Sequence, residues 1–119
     1  MQIESKQVGD VLVIIPAETR LDARVAVSFK ETIVNLMKEG HSLIALNLTQ
    51  VEFIDSSGLG AIVSSLKALG RTGKLAICGA REAVLTMFKL TRMDKVFHIL
   101  AQEEETIAAL IADNGKASA

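Results

Sequence analysis

The stretch FIDSSGLGAIVSSLK, residues 53–67, places an acid, two serines and two glycines directly before an apolar pattern with helical spacing. The apolar residues of that pattern are Leu59, Ile62, Val63, Leu66 and Leu69. The run LIALNL, residues 43–48, precedes the stretch and has the length of a strand buried on both faces. The sequence therefore predicts a strand, a short loop and an amphipathic helix. The polar residues lie where open α/β sheets usually bind ligands.

The same alternation of strand and helix extends in both directions. Residues 2–6 and 8–15 indicate two extended segments about Gly9-Asp10, and residues 17–21 indicate a loop. A first helix is predicted from Asp22, taken as its N-cap, to Gly40.

After the central helix, glycines and apolar runs mark the remaining elements. LAIC, residues 75–78, predicts a buried strand, residues 83–88 a third helix and HILA, residues 98–101, a short strand. A last helix is predicted behind the acidic residues 103–105, whose charges complement the helix dipole.

These elements predict an α/β fold with a mainly parallel mixed sheet, an N-terminal antiparallel strand and about four helices. A chain of 119 residues fits one domain. We expect that domain over residues 1–112 and a flexible tail over residues 113–119.

Composition excludes several classes of function. A net charge of -1 and 3% aromatic residues argue against nucleic-acid binding. No apolar run approaches the about 20 residues that span a bilayer, and the first ten residues lack the features of a signal peptide. We therefore expect a cytoplasmic protein without a membrane partner. The single cysteine, Cys78, lies in an apolar run and is expected to be a buried thiol.

The known motifs that combine serines and glycines do not fit. A dinucleotide fingerprint lacks its third glycine because Val63 stands there, and the Gly73-Lys74 pair of a potential P-loop is followed by Leu75. A hydrolase elbow would need glycine where Ile54 or Asp55 stands. No metal-ligand cluster is evident. We expect no enzyme activity, no catalytic residue, no metal and no cofactor.

Helix capping is the simplest role for Asp55, Ser56 or Ser57, because each can accept a hydrogen bond from a free backbone N–H. Capping does not account for Gly58 and Gly60, each of which costs a helix about 0.8 to 1 kcal/mol relative to alanine. The two glycines indicate that something needs bare backbone at this point.

The stretch LNLTQVEFIDSSGLGAIVSSLK, with RLDA at residues 20–23 and KLAICG at residues 74–79, resembles the STAS domain. It is most similar to the small stand-alone anti-sigma factor antagonists of bacteria. The resemblance extends over residues 1 to about 112. One departure is Ala17-Glu18-Thr19-Arg20, which replaces a glycine often found in that loop.

The resemblance implies a partner-switching regulator in which Ser57 is the phosphoacceptor of a serine kinase that is also the anti-sigma factor. The unphosphorylated protein would bind the kinase and release a sigma factor. Phosphorylation would end binding, and a PP2C-type phosphatase would restore it. We expect a monomer or weak dimer.

The neighbours of Ser57 are the expected partner-binding residues. Asp55, and Asp22 if its loop is adjacent, would make the phosphorylated surface strongly anionic, and Ser56 would cap the helix. Gly58 and Gly60 would admit a partner's backbone. Leu59 would be either an exposed contact or part of the core.

A second reading of the same residues is a small-molecule or nucleotide-binding STAS sensor module that uses the helix N-terminus. The sequence offers no aromatic residue placed to stack on a base. A thermal-shift screen with nucleotides would distinguish this reading from kinase binding.

Overall fold

The apolar runs form strands and the amphipathic segments form helices in the computed structural model, which describes the backbone of residues 1–118 and the side chains of residues 1–113. The strands are β1 (Ile3–Val8), β2 (Val11–Pro16), β3 (Arg20–Leu21), β4 (Leu43–Asn47), β5 (Phe53–Ile54), β6 (Lys74–Cys78) and β7 (His98–Leu100). The helices are α1 (Ala26–Lys38), α2 (Ser56–Leu69), α3 (Glu82–Leu90) and α4 (Glu103–Ser118). A 3₁₀ turn, Met93–Lys95, lies between α3 and β7.

Five strands make the main sheet, in the order β1-β2-β4-β6-β7. Strands β1 and β2 form an antiparallel hairpin about Gly9, whose φ of 59° lies in the left-handed region that favours glycine. All other neighbours in this sheet are parallel. The prediction of a mainly parallel α/β sheet with one N-terminal antiparallel strand and four helices is confirmed.

The central strands are buried on both faces because α-helices cover both faces. On one face Leu12 and Ile44 pack in the larger core with residues of α1, α2 and α3. On the other face Val13 and Ala45 pack with Leu110 of α4. Full burial of an aliphatic side chain contributes about 1.5 to 3 kcal/mol to the free energy of unfolding, so the packing of helices on these strands stabilises the domain.

Two details differ from the sequence predictions. The predicted loop at residues 17–21 contains β3, and the loop before α2 contains β5. Helix α1 begins at Ala26 rather than directly after Asp22.

The flexible tail expected at residues 113–119 stays a prediction. Ala119 and the side chains of residues 114–118 lie outside the described residues. Within the part of the chain that the structure describes, no helix combines the length and apolar character that a membrane span requires.

Candidate functional site

A two-stranded parallel sheet joins the loop before α1 to the loop before α2. Strands β3 and β5 pair Arg20 with Phe53 and Leu21 with Ile54. The carbonyl oxygen of Thr19 accepts hydrogen bonds from the N–H groups of Glu52 at 2.8 Å and Phe53 at 3.1 Å. This pairing places the Asp22 loop beside the start of α2, as the sequence resemblance implied. It also fixes the path of the loop Ala17-Glu18-Thr19-Arg20, the segment that stands where related sequences often have a glycine.

Asp55 caps helix α2. Its backbone is extended, with φ -106° and ψ -176°, and its Oδ1 accepts a hydrogen bond from the N–H of Gly58 at 2.9 Å. The cap satisfies one N–H of the first turn, and the carboxylate lies at the positive end of the helix dipole. Ser56 is instead the first helical residue and is exposed, so the prediction that Ser56 caps the helix is wrong.

Ser57 is the second residue of α2 and is exposed. The N–H groups of a first helical turn have no partner within the helix, so the surroundings of this hydroxyl favour negative charge. The geometry leaves Ser57 accessible to another protein. Its phosphorylation stays a prediction.

Gly58 is buried, and its bare backbone serves the fold. A Cβ atom here would collide with the carbonyl oxygen of Leu21 and lie 2.7 Å from its carbonyl carbon and 3.1 Å from Ile54 Cγ1. The close approach that requires glycine is therefore made by β3 of the same chain. The expectation that Gly58 admits a partner's backbone is wrong.

Gly60 and Leu59 are neighbours on α2 that differ in burial. Gly60 is exposed, and a Cβ atom built on it has no neighbour within 4 Å, so its bare backbone remains open to a partner. Leu59 is only 6% exposed and belongs to the core. Of the two roles considered for Leu59, the structure supports a place in the core and argues against an exposed contact with a partner.

Asp22 does not cap α1, whose N-cap residue is Val25. The carboxylate of Asp22 accepts a hydrogen bond from the N–H of Arg24 at 3.1 Å. The backbone carbonyl oxygen of Asp22 accepts hydrogen bonds from the N–H groups of Val25 and Ala26. The side chain thus begins the turn that leads into the helix. The predicted capping role is wrong because the polypeptide makes this turn before the helix starts.

Two arginines neutralise Asp22. The Nε atoms of Arg20 and Arg24 each lie 3.4 Å from Oδ2 of Asp22. Burial alone would raise the pKa of Asp22, but the hydrogen bond from the Arg24 N–H and the charges of Arg24 and Arg20 lower the pKa below its usual value. The three side chains carry a net charge of about +1. In the unmodified protein the surface at Asp22 is therefore not anionic, and the anionic surface expected after phosphorylation stays a prediction.

Arg20 also stacks on Phe53, with its Cζ atom 4.2 Å from the ring centroid. Arg20 and Phe53 face each other across the β3–β5 pair, and Phe53 is 39% exposed. A cation over an aromatic ring is attracted by about 0.5 to 1 kcal/mol at an exposed site. Sequence reasoning missed this pair because no local pattern links residues so far apart.

A second polar cluster ties α4 to the sheet. Glu103 pairs with Lys6 at 2.7 Å and accepts a hydrogen bond from Asn47 at 3.0 Å. The bond from Lys6, with that from Asn47, lowers the pKa of Glu103. Cys78 is 1% exposed, and burial raises the pKa of its thiol. The expectation of a buried thiol is confirmed.

The part of the chain with described side chains contains no group of three His, Cys, Asp or Glu residues arranged for a metal. A cavity of about 460 Å³ lies near the carboxyl ends of β6 and β7, with Gly79, Arg81, Leu85 and Ile99 in its wall. The residues of the DSSGLG segment do not line this cavity. It therefore lends no support to a ligand site at the start of α2.

The mixed sheet, the helices on both faces and the capped α2 define a STAS domain. The family model described as STAS domain matches residues 2–106, and the chain belongs to this family.

Its relatives include an anti-sigma-B factor antagonist of Staphylococcus epidermidis, 34% identical over 80 residues that cover 66% of this chain and 74% of that protein. A Thermotoga maritima protein described as a candidate anti-sigma factor antagonist superposes with a TM-score of 0.84 at 30% identity, over 91% of this chain and 93% of that chain. SpoIIAA of Bacillus in its phosphorylated form superposes with a TM-score of 0.69 at 20% identity, over 92% and 99% of the two chains. The last likeness shows the shared fold.

Proposed function

We propose that the protein is an anti-sigma factor antagonist in a partner-switching pathway. The carrying observation is Ser57, an exposed hydroxyl on the first turn of α2 in a STAS domain. The Staphylococcus epidermidis relative named as an anti-sigma-B factor antagonist supports the same role.

In this proposal the unphosphorylated protein binds a serine kinase that is also an anti-sigma factor, and the kinase releases its sigma factor. The kinase then transfers the γ-phosphoryl group of ATP to Ser57. The hydroxyl loses its proton as the oxygen–phosphorus bond forms, and ADP leaves. A PP2C-type phosphatase hydrolyses the ester with water and restores the hydroxyl.

The contact surface comprises the exposed residues Ser56, Ser57 and Gly60, with Asp22 and Asp55 at its border. Phosphate adds a charge of about -1.5 to -2, which a helix N-terminus tolerates. The modification then acts at the interface, because a partner surface that fits a neutral hydroxyl must desolvate the added charge. The domain itself keeps its fold.

The proposed modification is tested by incubating the protein with ATP and the anti-sigma kinases of its own host. Intact mass and peptide mapping should show one phosphate on Ser57. Ser57→Ala should receive none, whereas the matched variant Ser56→Ala, which keeps the Ser57 hydroxyl, should still receive one phosphate. Phosphate on another residue, or on Ser57→Ala, would refute the assignment.

The effect on binding is tested with Ser57→Asp by calorimetry against the kinase. We expect affinity at least about tenfold weaker, a loss of about 1.4 kcal/mol or more. The control is Ser42→Asp, which adds the same charge at an exposed position before β4. Because aspartate carries less charge than phosphate, the deciding sample is protein phosphorylated at Ser57. If that sample binds the kinase as tightly as unmodified protein, the switch is wrong.

We also propose that the protein acts in the cytoplasm, as a monomer or weak dimer, and has no catalytic activity of its own. Light scattering at micromolar concentration would measure the oligomeric state. A stable dimer or larger assembly would contradict this part of the proposal.

A further inference from the structure

Two arginines converge on one carboxylate beside the start of α2. Arg20 and Arg24 each place Nε 3.4 Å from the same oxygen of Asp22. The side chain of Asp22 is 14% exposed, whereas those of Arg20 and Arg24 are 52% and 79% exposed. The carboxylate is therefore held against the protein, and the cations are free to change partners.

The backbone limits how far this cluster can lie from Ser57. Gly58 and Leu21 are in such close approach that a Cβ atom on Gly58 would lie 2.7 Å from the carbonyl carbon of Leu21. Ser57 and Asp22 are the chain neighbours of these two residues. Standard bond lengths then restrict the distance between the Cα atoms of Ser57 and Asp22 to about 10 Å or less. Long arginine side chains and a phosphoserine can meet within that distance.

We propose that Arg20 and Arg24 form an internal receptor for the phosphate of phosphorylated Ser57, exchanging their contact with Asp22 for contact with the phosphate oxygens. This inference rests on the proposed function, which supplies the modification. A phosphate offers three acceptor oxygens and about twice the charge of a carboxylate. The planar guanidinium group can donate two hydrogen bonds to it at once.

The two arginines have different parts in this exchange. Stacking on Phe53 keeps the guanidinium group of Arg20 beside β5, 4.2 Å from the ring centroid. Arg24 is the more exposed and has no such restraint within the described contacts, so it is the group that moves. Phosphorylation thereby changes the surface that a partner meets in two ways. It replaces the neutral hydroxyl of Ser57, and it pairs the charges of Arg20 and Arg24 with the phosphate.

The other charges near Ser57 belong to the segments that pack there. They are Asp55 at the cap of α2 and Asp22 itself. One oxygen of Asp55 is already engaged by the N–H of Gly58. These two acids repel the phosphate, and Arg20 and Arg24 are the cations beside them that can compensate for it.

The test uses full-length protein with phosphoserine incorporated at position 57 during synthesis, so that no kinase is needed. The pKa of the phosphate, about 6 in the absence of contacts, is measured by ³¹P NMR titration. Arg24→Gln and the double variant Arg20→Gln/Arg24→Gln should raise it by about half a unit or more, a threefold change in the protonation equilibrium. Asp22→Asn, which removes the competing carboxylate, should lower it.

Arg71→Gln is the matched control, because it removes one positive charge at an exposed position beyond the far end of α2. It should leave the pKa of the phosphate unchanged. The direct contact is read from the side-chain Nε–H resonances, which should shift on phosphorylation for Arg20 and Arg24 but not for Arg71.

The receptor proposal would be overturned if the phosphate had the same pKa in the wild type and in Arg24→Gln. It would also be overturned if the Nε–H resonances of Arg20 and Arg24 did not shift on phosphorylation. A shift of the same size in Arg71→Gln would also overturn it, since it would show a general effect of net charge. The single variant Arg24→Gln keeps the test valid if the double variant disturbs the β3–β5 pair. Failure of the receptor leaves the kinase assay on Ser57 untouched, and failure of that assay leaves these titrations readable.

Discussion

Replacement by alanine should stabilise the protein at one glycine of the GLG segment, Gly60, and not at the other, Gly58. At Gly60 the backbone is helical and a methyl group has no neighbour within 4 Å. Replacing this glycine with alanine removes the conformational cost of glycine within a helix. Gly60→Ala should therefore raise the free energy of unfolding by about 0.8 to 1 kcal/mol.

At Gly58 the same methyl group collides with the backbone of Leu21. Leu21 cannot simply withdraw, because it pairs with Ile54 and its carbonyl oxygen accepts a hydrogen bond from Asp55 at 3.2 Å. Overpacking typically costs about 1 to 3 kcal/mol, which cancels or exceeds the gain in helix propensity. Gly58→Ala should be no more stable than the wild type, and about 1 to 3 kcal/mol less stable than Gly60→Ala.

Urea unfolding followed by circular dichroism measures both variants under the same conditions, with the slope of the transition as a check on two-state behaviour. If Gly58→Ala were as stabilised as Gly60→Ala, the close contact between α2 and β3 would be absent. Calorimetry with the kinase adds a second comparison: Gly60→Ala should bind more weakly despite its greater stability, because the methyl group occupies the exposed surface.

Three further results are expected. Asp55→Ala should lose about 1 kcal/mol of stability with its hydrogen bond to the first turn of α2, whereas Ser56→Ala should change stability by less than about 0.5 kcal/mol; chemical unfolding of both distinguishes the two residues. The lowered pKa of Glu103 means that its pair with Lys6 contributes stability above the ordinary pKa of glutamate and loses it as pH falls through the lower value. Melting temperatures of Glu103→Gln should therefore decline less than those of the wild type on acidification, and parallel curves would remove this role. Cys78, buried and with a raised pKa, should react with a thiol reagent only as fast as the domain opens, so rapid labelling of native protein would contradict its burial.

Sequence patterns predicted the main sheet because burial on both faces leaves continuous apolar runs. LIALNL and LAIC correspond to β4 and β6, and the helix spacing after Ser57 corresponds to α2. Strands β3 and β5 were missed, since two residues are too few to show a period. Their pairing depends on contacts between distant segments rather than on local preference.

The candidate site was predicted in its residues but only partly in their roles. The residues Asp55, Ser57 and Gly58 do lie together at the start of α2. Composition could not show that Gly58 faces Leu21 while Gly60 faces outward, because the difference arises from the neighbouring strand. The ion-pair partners of Asp22 were missed for a similar reason. Arg20 and Arg24 come close to its carboxylate only because the chain turns between β3 and α1.

The arrangement of the first turn of α2 explains how Ser57 can accept a charge without disturbing the fold. Asp55 binds the N–H of Gly58, and its own N–H is bound by Leu21, so the helix start is fixed on both sides by groups other than the Ser57 side chain. Gly58 packs inward against the strand, which leaves the preceding serine on the exposed surface. A phosphate added there need not displace a packed group or a structural hydrogen bond of this framework. Phosphorylation of Ser57 should therefore change the free energy of binding to a partner, through the surface charge, and leave the free energy of unfolding nearly unchanged.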